Sequence, residues 1–153
     1  MSPNSEVSVR FMPLLLASEW CPERRVDIRG CVQCLEGEGY NLNPTACCVL
    51  ESFLGISVVL PPAEHKFYEH ELSFDPVRAA SGEADRAQQW HKEIGIQIFP
   101  IGEEVRTGNI IWAGDDGRFY YGHGFGLYLL GESFEKAMDQ LAFAEQPLVR
   151  CAD

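Results

Sequence analysis

The part of the sequence that most constrains the fold is a succession of short apolar runs between Ile96 and Gly131, separated by turn-forming residues. Two of these runs, NIIWA and RFYYG, flank the tetrapeptide GDDG, which is typical of a four-residue hairpin loop. IQIFPIGE precedes the hairpin and LYLL follows it, and both favour strands. Because strands joined by tight turns pair side by side, this region predicts an antiparallel sheet.

The residues before this region predict three helices and two strands. The first helix is expected over Ser5–Ser18, with a kink or a start at Pro13 because proline lacks an amide hydrogen. Asp27 and Asn43 are suitable N-caps for the second and third helices, and Pro44 suits the first position of the third. The runs ISVVL and HELSF then predict strands.

Two more helices complete the predicted order. GEADRAQQWHKEIG has the spacing of an amphipathic helix, and Ser133 is a suitable N-cap for a closing helix that Phe134 would hold against the sheet. The order predicts a single α+β domain over residues 1–153, with a largely antiparallel mixed sheet, N-terminal helices and a C-terminal helix.

The charge of the chain disfavours several classes of partner. Its 12 Lys and Arg residues against 23 Asp and Glu residues leave a formal net charge of −11. Nucleic acids and anionic membranes both require a basic surface, so we expect neither as a partner. No apolar run approaches the roughly 20 residues of a membrane-spanning helix, and no cationic signal segment is recognisable, which favours a cytoplasmic protein. The excess of acid is consistent with a basic partner, or simply with solubility.

The cysteines are the main candidates for a metal or redox site. Cys31 and Cys34 form a C-x-x-C pair, and Cys47 and Cys48 are adjacent. Both pairs fall within predicted amphipathic helices, where cysteine packs as a small apolar side chain, so core packing is favoured over zinc binding. A thioredoxin-like site would need a preceding strand, which is absent from the pattern. His123, between two glycines, could act as a general base, but no nucleophile accompanies it in a known motif. We therefore expect no cofactor, no metal and no enzymatic activity.

Acidic and aromatic residues around the predicted strands are candidate contacts for a basic protein. Aromatic side chains anchor such interfaces and acidic side chains accelerate the encounter. The candidate contact residues are Glu64, Glu69, Glu71, Glu103, Glu104, Trp112, Asp115, Asp116, Tyr120 and Phe125. Because side chains alternate along a strand, about half of the aromatic residues must face the core instead.

Five segments, in order and at similar spacing, resemble the SUKH superfamily, in particular its third subfamily. They are SEWCPERRVDI, SFDP, IQIFPIGEE, GDDGRFYY and LYLLGESFEKAMDQL. The resemblance extends over roughly residues 5–143. It implies that motif residues determine the fold at three places: the first turn, a bend of the sheet and the last strand–helix corner. These residues are Trp20, Pro22 and Arg25, then Phe99, Pro100 and Gly102, then Gly131 and Phe134.

The resemblance also implies a function. SUKH proteins of this kind are immunity proteins of bacterial polymorphic toxin systems, which bind the C-terminal domain of a cognate toxin, often a nuclease or a deaminase. Together with the net charge of −11, this predicts that the chain neutralises a basic toxin domain by occluding its active site or substrate groove. The contacts vary among such proteins, so none is transferred by the motif. Two alternatives remain at this stage: a regulatory binding module of the same fold, and a small zinc- or thiol-dependent enzyme using the four helical cysteines or His123.

Overall fold

The computed structural model describes residues 5–63, 66–124, 126–144 and 146–153. In these residues the chain forms an α+β domain with six helices and one seven-stranded sheet. The helices are α1 (Met12–Leu16), α2 (Arg29–Glu38), α3 (Pro44–Phe53), α4 (Pro76–Ala80), α5 (Ala84–Ile94) and α6 (Phe134–Phe143). The strands are β1 (Ser57–Leu60), β2 (His70–Ser73), β3 (Ile98–Glu104), β4 (Asn109–Gly114), β5 (Phe119–Gly122), β6 (Leu127–Gly131) and β7 (Val149–Ala152).

The strands lie in the sheet in the same order as in the chain, from β1 to β7, and every neighbouring pair is antiparallel. The predicted antiparallel sheet and α+β class are therefore confirmed. The hairpin predicted around GDDG joins β4 to β5, with Trp112 opposite Tyr120. The chain leaves the sheet once for helices between β2 and β3, and again for α6 between β6 and β7.

Three features differ from the sequence-based prediction. The first helix is short and begins at Met12, because Pro13 suits a helix start and cannot donate a hydrogen bond within a longer helix. α4 was not predicted; it begins where Asp75 caps the amide of Arg78, with Pro76 in its first turn. β7 was also not predicted, because VRCA is too short and too polar to be recognised as a strand.

One face of the sheet packs against α3 and α6 through aromatic side chains. Phe134, at the start of α6, lies between Phe119 of β5 and Phe53 of α3, with ring centroids 5.5 and 5.0 Å away. The caps fix the starts of both helices: Asn43 accepts from the amide of Ala46, and Ser133 accepts from the amide of Lys136. The predicted N-caps Asn43 and Ser133 are confirmed. Asp27 is not the N-cap of α2: that position is Ile28, without a side-chain cap, and Asp27 accepts instead from the amide of Arg29, the first residue of the helix.

The opposite face of the sheet is covered only in part. On α5, Trp90 is fully buried and makes an edge-on contact with Trp112 of β4, with ring centroids 5.9 Å apart. Ile110 precedes Trp112 by two residues on β4, so the two side chains point to the same face. Glu103 of β3 pairs with Ile110, and its side chain therefore points to this face as well. Ile110 is buried and Glu103 is partly exposed, whereas Pro100, opposite Trp112 on this face, is buried, so on β3 the covering ends only near Glu103.

The motif residues of the first turn join it to α3. The indole nitrogen of Trp20 donates to the hydroxyl of Ser52, and the Trp20 ring stacks on Phe53 at 5.3 Å. Arg24, rather than Arg25, holds the turn: its guanidinium donates to the carbonyls of Ser52 and Leu54, at 2.7 Å each. Arg25 is exposed and Pro22 is partly exposed.

Two of the motif glycines lie where the backbone has no room for a side chain. At Gly102 an added Cβ would collide with the carbonyl oxygen of Ser73, and the pairing of β3 with β4 shifts register between Pro100 and Gly102. At Gly131 an added Cβ would lie 2.5 Å from the amide nitrogen of Ala137, because α6 folds back directly over this residue. The sheet bend and the last corner thus both depend on glycine.

Candidate binding surface

Strands β1 and β2 alternate between buried and exposed side chains. Val58 and Leu60 of β1 are fully buried, whereas Ser57 and Val59 are exposed. On β2, His70 and Leu72 are buried, and Glu71 and Ser73 are partly exposed. Strands that are covered on only one side show this period of two. The second side of β1 is therefore exposed, and that of β2 is partly exposed.

The strand register brings the exposed side chains together into two rows across β1, β2 and β3. Ser57 lies opposite Ser73, which lies opposite Glu103. Val59 lies opposite Glu71, whose carbonyl accepts the amide of Val105 just after β3. We call these six residues the open face: Ser57, Val59, Glu71, Ser73, Glu103 and Val105.

The open face combines two carboxylates with two exposed aliphatic side chains. Val59 is 53% exposed and Val105 is 39% exposed. Glu71 and Glu103 are diagonal neighbours on adjacent strands, a spacing of about 7–8 Å between Cα atoms. Within the described residues, neither carboxylate accepts a hydrogen bond or pairs with a cation. The nearby Arg106 guanidinium instead lies 4.0 Å from the ring centroid of Tyr68.

The other exposed acidic candidates lie around this face or far from it. Glu69 is exposed in the segment that leads into β2. Asp115 and Asp116 are exposed in the β4–β5 turn, at the opposite end of the β3–β4 hairpin from Val105. Asp116 also supports that turn, because it accepts hydrogen bonds from the hydroxyl of Tyr120 and the amide of Arg118.

Three candidate contact residues are buried, and two lie outside the described residues. Trp112 is fully buried under Trp90, and Tyr120 is held inside by its bond to Asp116. Glu104 is 1% exposed. None of these three side chains is available at the surface. Glu64 and Phe125 lie outside the described residues.

Glu104 is the centre of a buried polar cluster. Its carboxylate accepts from Lys66 Nζ at 3.0 Å, from the Tyr121 hydroxyl at 2.8 Å and from the Thr107 hydroxyl at 3.0 Å. His70 Nε2 lies 3.4 Å from the same carboxylate and 3.0 Å from the carbonyl oxygen of Leu141 on α6. Burial alone would raise the pKa of Glu104, but these hydrogen bonds outweigh it and hold the pKa below its ordinary value. The cluster ties β2, β3 and β5 to α6.

The four cysteines considered as metal or redox candidates lie on α2 and α3, the two helices predicted to contain them. Cys31 and Cys47 are partly buried, and burial raises the pKa of each thiol to about 11, which disfavours the reactive thiolate. Cys34 is exposed on α2 and Cys48 is partly buried on α3. In the described part of the chain, no three His, Cys, Asp or Glu side chains are grouped so as to hold a metal ion.

The open face was only partly recognisable from the sequence. Glu71 and Glu103 were among the predicted contacts, because they lie in or beside predicted strands. Val59 and Val105 were missed: ISVVL is a continuous apolar run, which is typical of a strand buried on both sides. Ser57 could have indicated the exposure of Val59, because side chains alternate along a strand and these two residues lie on the same face of β1.

Fold and surface together define a small α+β protein with an acidic, partly aliphatic sheet face. A family model described as SUKH-3 immunity protein matches residues 7–143, nearly the whole chain. The chain therefore belongs to the SUKH-3 immunity protein family, as its sequence motifs had indicated. Comparison with curated proteins and comparison with solved structures each found no match. No helix among the described residues is long and apolar enough to cross a membrane.

Proposed function

We propose that this chain is a cytoplasmic immunity protein that binds a cognate toxin domain and blocks its active site or substrate groove. Membership of the SUKH-3 family supports the immunity role and is the observation that carries the proposal. Such a protein acts by binding and has no catalytic task of its own. The attraction for the toxin comes from carboxylates that are exposed or partly exposed, those of Glu69, Glu71, Glu103, Asp115 and Asp116.

The toxin in this proposal is a basic enzyme that acts on nucleic acids, such as a nuclease or a deaminase. An enzyme of that class needs a positively charged groove for its substrate. A protein of formal charge −11 complements such a groove and competes with the anionic substrate for it. The charge of the chain thus suits both recognition and inhibition.

The experiment that tests this function is purification of the C-terminally tagged protein from the producing cell, followed by mass spectrometry of what accompanies it. We expect a stoichiometric partner with a basic C-terminal domain. That domain, expressed alone, should be toxic, and co-expression of this chain should restore growth. Toxicity that persists when both proteins are abundant would contradict the proposal. A partner that is a non-toxic regulatory protein would favour the regulatory binding module instead.

A further inference from the structure

The geometry points to the open face as the surface on which the toxin docks, and to a pair of cationic side chains flanked by apolar groups as what the toxin presents there. This inference rests on the proposed function. It goes beyond that function because it assigns most of the binding free energy to Glu71 and Glu103, with Val59 and Val105 beside them. The acidic β4–β5 turn is assigned a smaller share.

The first argument is that the open face consists of exposed and partly exposed side chains. The same face is closed over β4 by Trp90 of α5, and there its residues are large and apolar. Over β1, β2 and the last residues of β3 the side chains on this face change to valine, serine and glutamate, although the sheet continues without interruption. The backbone of this face is held by hydrogen bonds on both sides of β2, because β2 pairs with β1 and with β3.

The second argument concerns charge. Glu71 and Glu103 are close enough for their potentials to add, since their Cα spacing of about 7–8 Å is within one Debye length of about 8 Å. Within the described residues neither has a cationic partner, while the neighbouring Glu104 is fully engaged by Lys66 and two hydroxyl groups. Two unneutralised carboxylates side by side attract two Lys or Arg side chains, one for each.

The third argument concerns the aliphatic side chains. Val59 and Val105 lie on either side of Glu71 in the second row. A partner that covers them removes water from around the carboxylate, and a charge pair is stronger when it is desolvated. This combination suits a protein surface better than a small molecule.

The test compares matched charge reversals for binding to the toxin domain that co-purifies with the chain, prepared with an inactivating substitution. The variant Glu71→Lys/Glu103→Lys changes the open face. The control Glu23→Lys/Glu36→Lys makes the same change in net charge at exposed positions in the first turn and on α2. We expect the first variant to bind about 30-fold more weakly or worse, and the control to bind within about threefold of the unaltered protein.

Equal weakening by the two variants would overturn the inference, because net charge and not position would then matter. A larger loss with Asp115→Lys than with the open-face variant would also overturn it and would place the contact at the β4–β5 turn. Absence of binding by the unaltered protein would overturn the proposed function itself, so the two failures are distinguishable. Glu71→Gln/Glu103→Gln, which removes charge without reversing it, repeats the test if the lysine variant does not fold.

Two further measurements check the contribution of Val59 and Val105 to binding and the position of the interface on the sheet. The variant Val59→Thr/Val105→Thr keeps the side-chain shape and the β-branching, so it should fold normally and bind about tenfold more weakly. Hydrogen exchange of the complex should show added protection in β1 and β2 and unchanged exchange in the β4–β5 turn. Protection confined to that turn, or unchanged affinity of the valine variant, would overturn the assignment.

Discussion

Glu103 and Glu104 are adjacent in the chain, yet one carboxylate is in contact with solvent and the other is buried. Glu103 belongs to the open face, whereas Glu104 accepts hydrogen bonds from Lys66, Tyr121 and Thr107 in the interior. The sequence shows only a pair of acidic residues. Which of them points inwards depends on the register shift between Pro100 and Gly102, which changes the phase of the alternation along β3.

The buried position of Glu104 predicts a large and specific loss of stability for Glu104→Gln. Removing the charge leaves Lys66 in a largely buried site without its anion, which costs about 3 kcal/mol in the free energy of unfolding. Urea unfolding at neutral pH measures this loss. Glu103→Gln is the matched control and should change the free energy by less than about 0.5 kcal/mol. Similar effects of the two substitutions would contradict the arrangement around Glu104.

The same residue predicts a dependence of stability on pH. The pKa of Glu104 is lower in the folded protein than its ordinary value of 4.5, so folding favours the ionised carboxylate. Its contribution is fully present above pH 4.5 and is lost as the pH falls through the lower, folded-state pKa. The stability difference between the unaltered protein and Glu104→Gln should therefore be constant from neutral pH to about 5 and shrink below 4.5. A difference that does not change with acidification would contradict this.

At the scale of the elements, the helix starts are the features that local sequence predicts best. Asn43 followed by Pro44, and Ser133 followed by Phe134, were both recognisable, because capping depends on groups only three residues apart. The short elements α4 and β7 were not predicted. A helix or strand of four or five residues is stabilised by tertiary packing and pairing rather than by its own residues.

The two capping residues are predicted to contribute unequally. Ser133→Ala should lower the free energy of unfolding by about 1 kcal/mol, the usual cost of a lost N-cap. Asn43 is buried, and besides capping α3 its amide nitrogen donates to the carbonyl of Ala113 on β4 at 2.9 Å. Asn43→Ala should therefore cost about 2–3 kcal/mol, because it also leaves a buried carbonyl unpaired. Chemical denaturation measures the free energy of unfolding of both variants. Equal losses would show that the hydrogen bond from Asn43 to β4 contributes little.

At the scale of the whole molecule, the net charge of −11 predicts how association with the toxin depends on salt. Long-range attraction accelerates the encounter of oppositely charged proteins, and added salt screens it. The association rate constant should fall at least about tenfold between 0.02 and 0.5 M NaCl, with a much smaller change in the dissociation rate. Stopped-flow mixing with the inactive toxin domain measures both. A rate constant independent of salt would exclude steering by charge.

The sequence by itself determined the class of the fold, the family and the acidic character of the protein. Each of these depends on residues that are close in the chain or on composition: turn residues between apolar runs, caps, motif segments and the count of charges. Only the tertiary structure decided which residues share a surface. Val59, Glu71 and Glu103 are far apart in sequence and become neighbours through strand register, and the open face exists because α5 covers only part of the sheet. Such relations depend on how elements pair and pack over long distances in the chain, which local patterns do not encode.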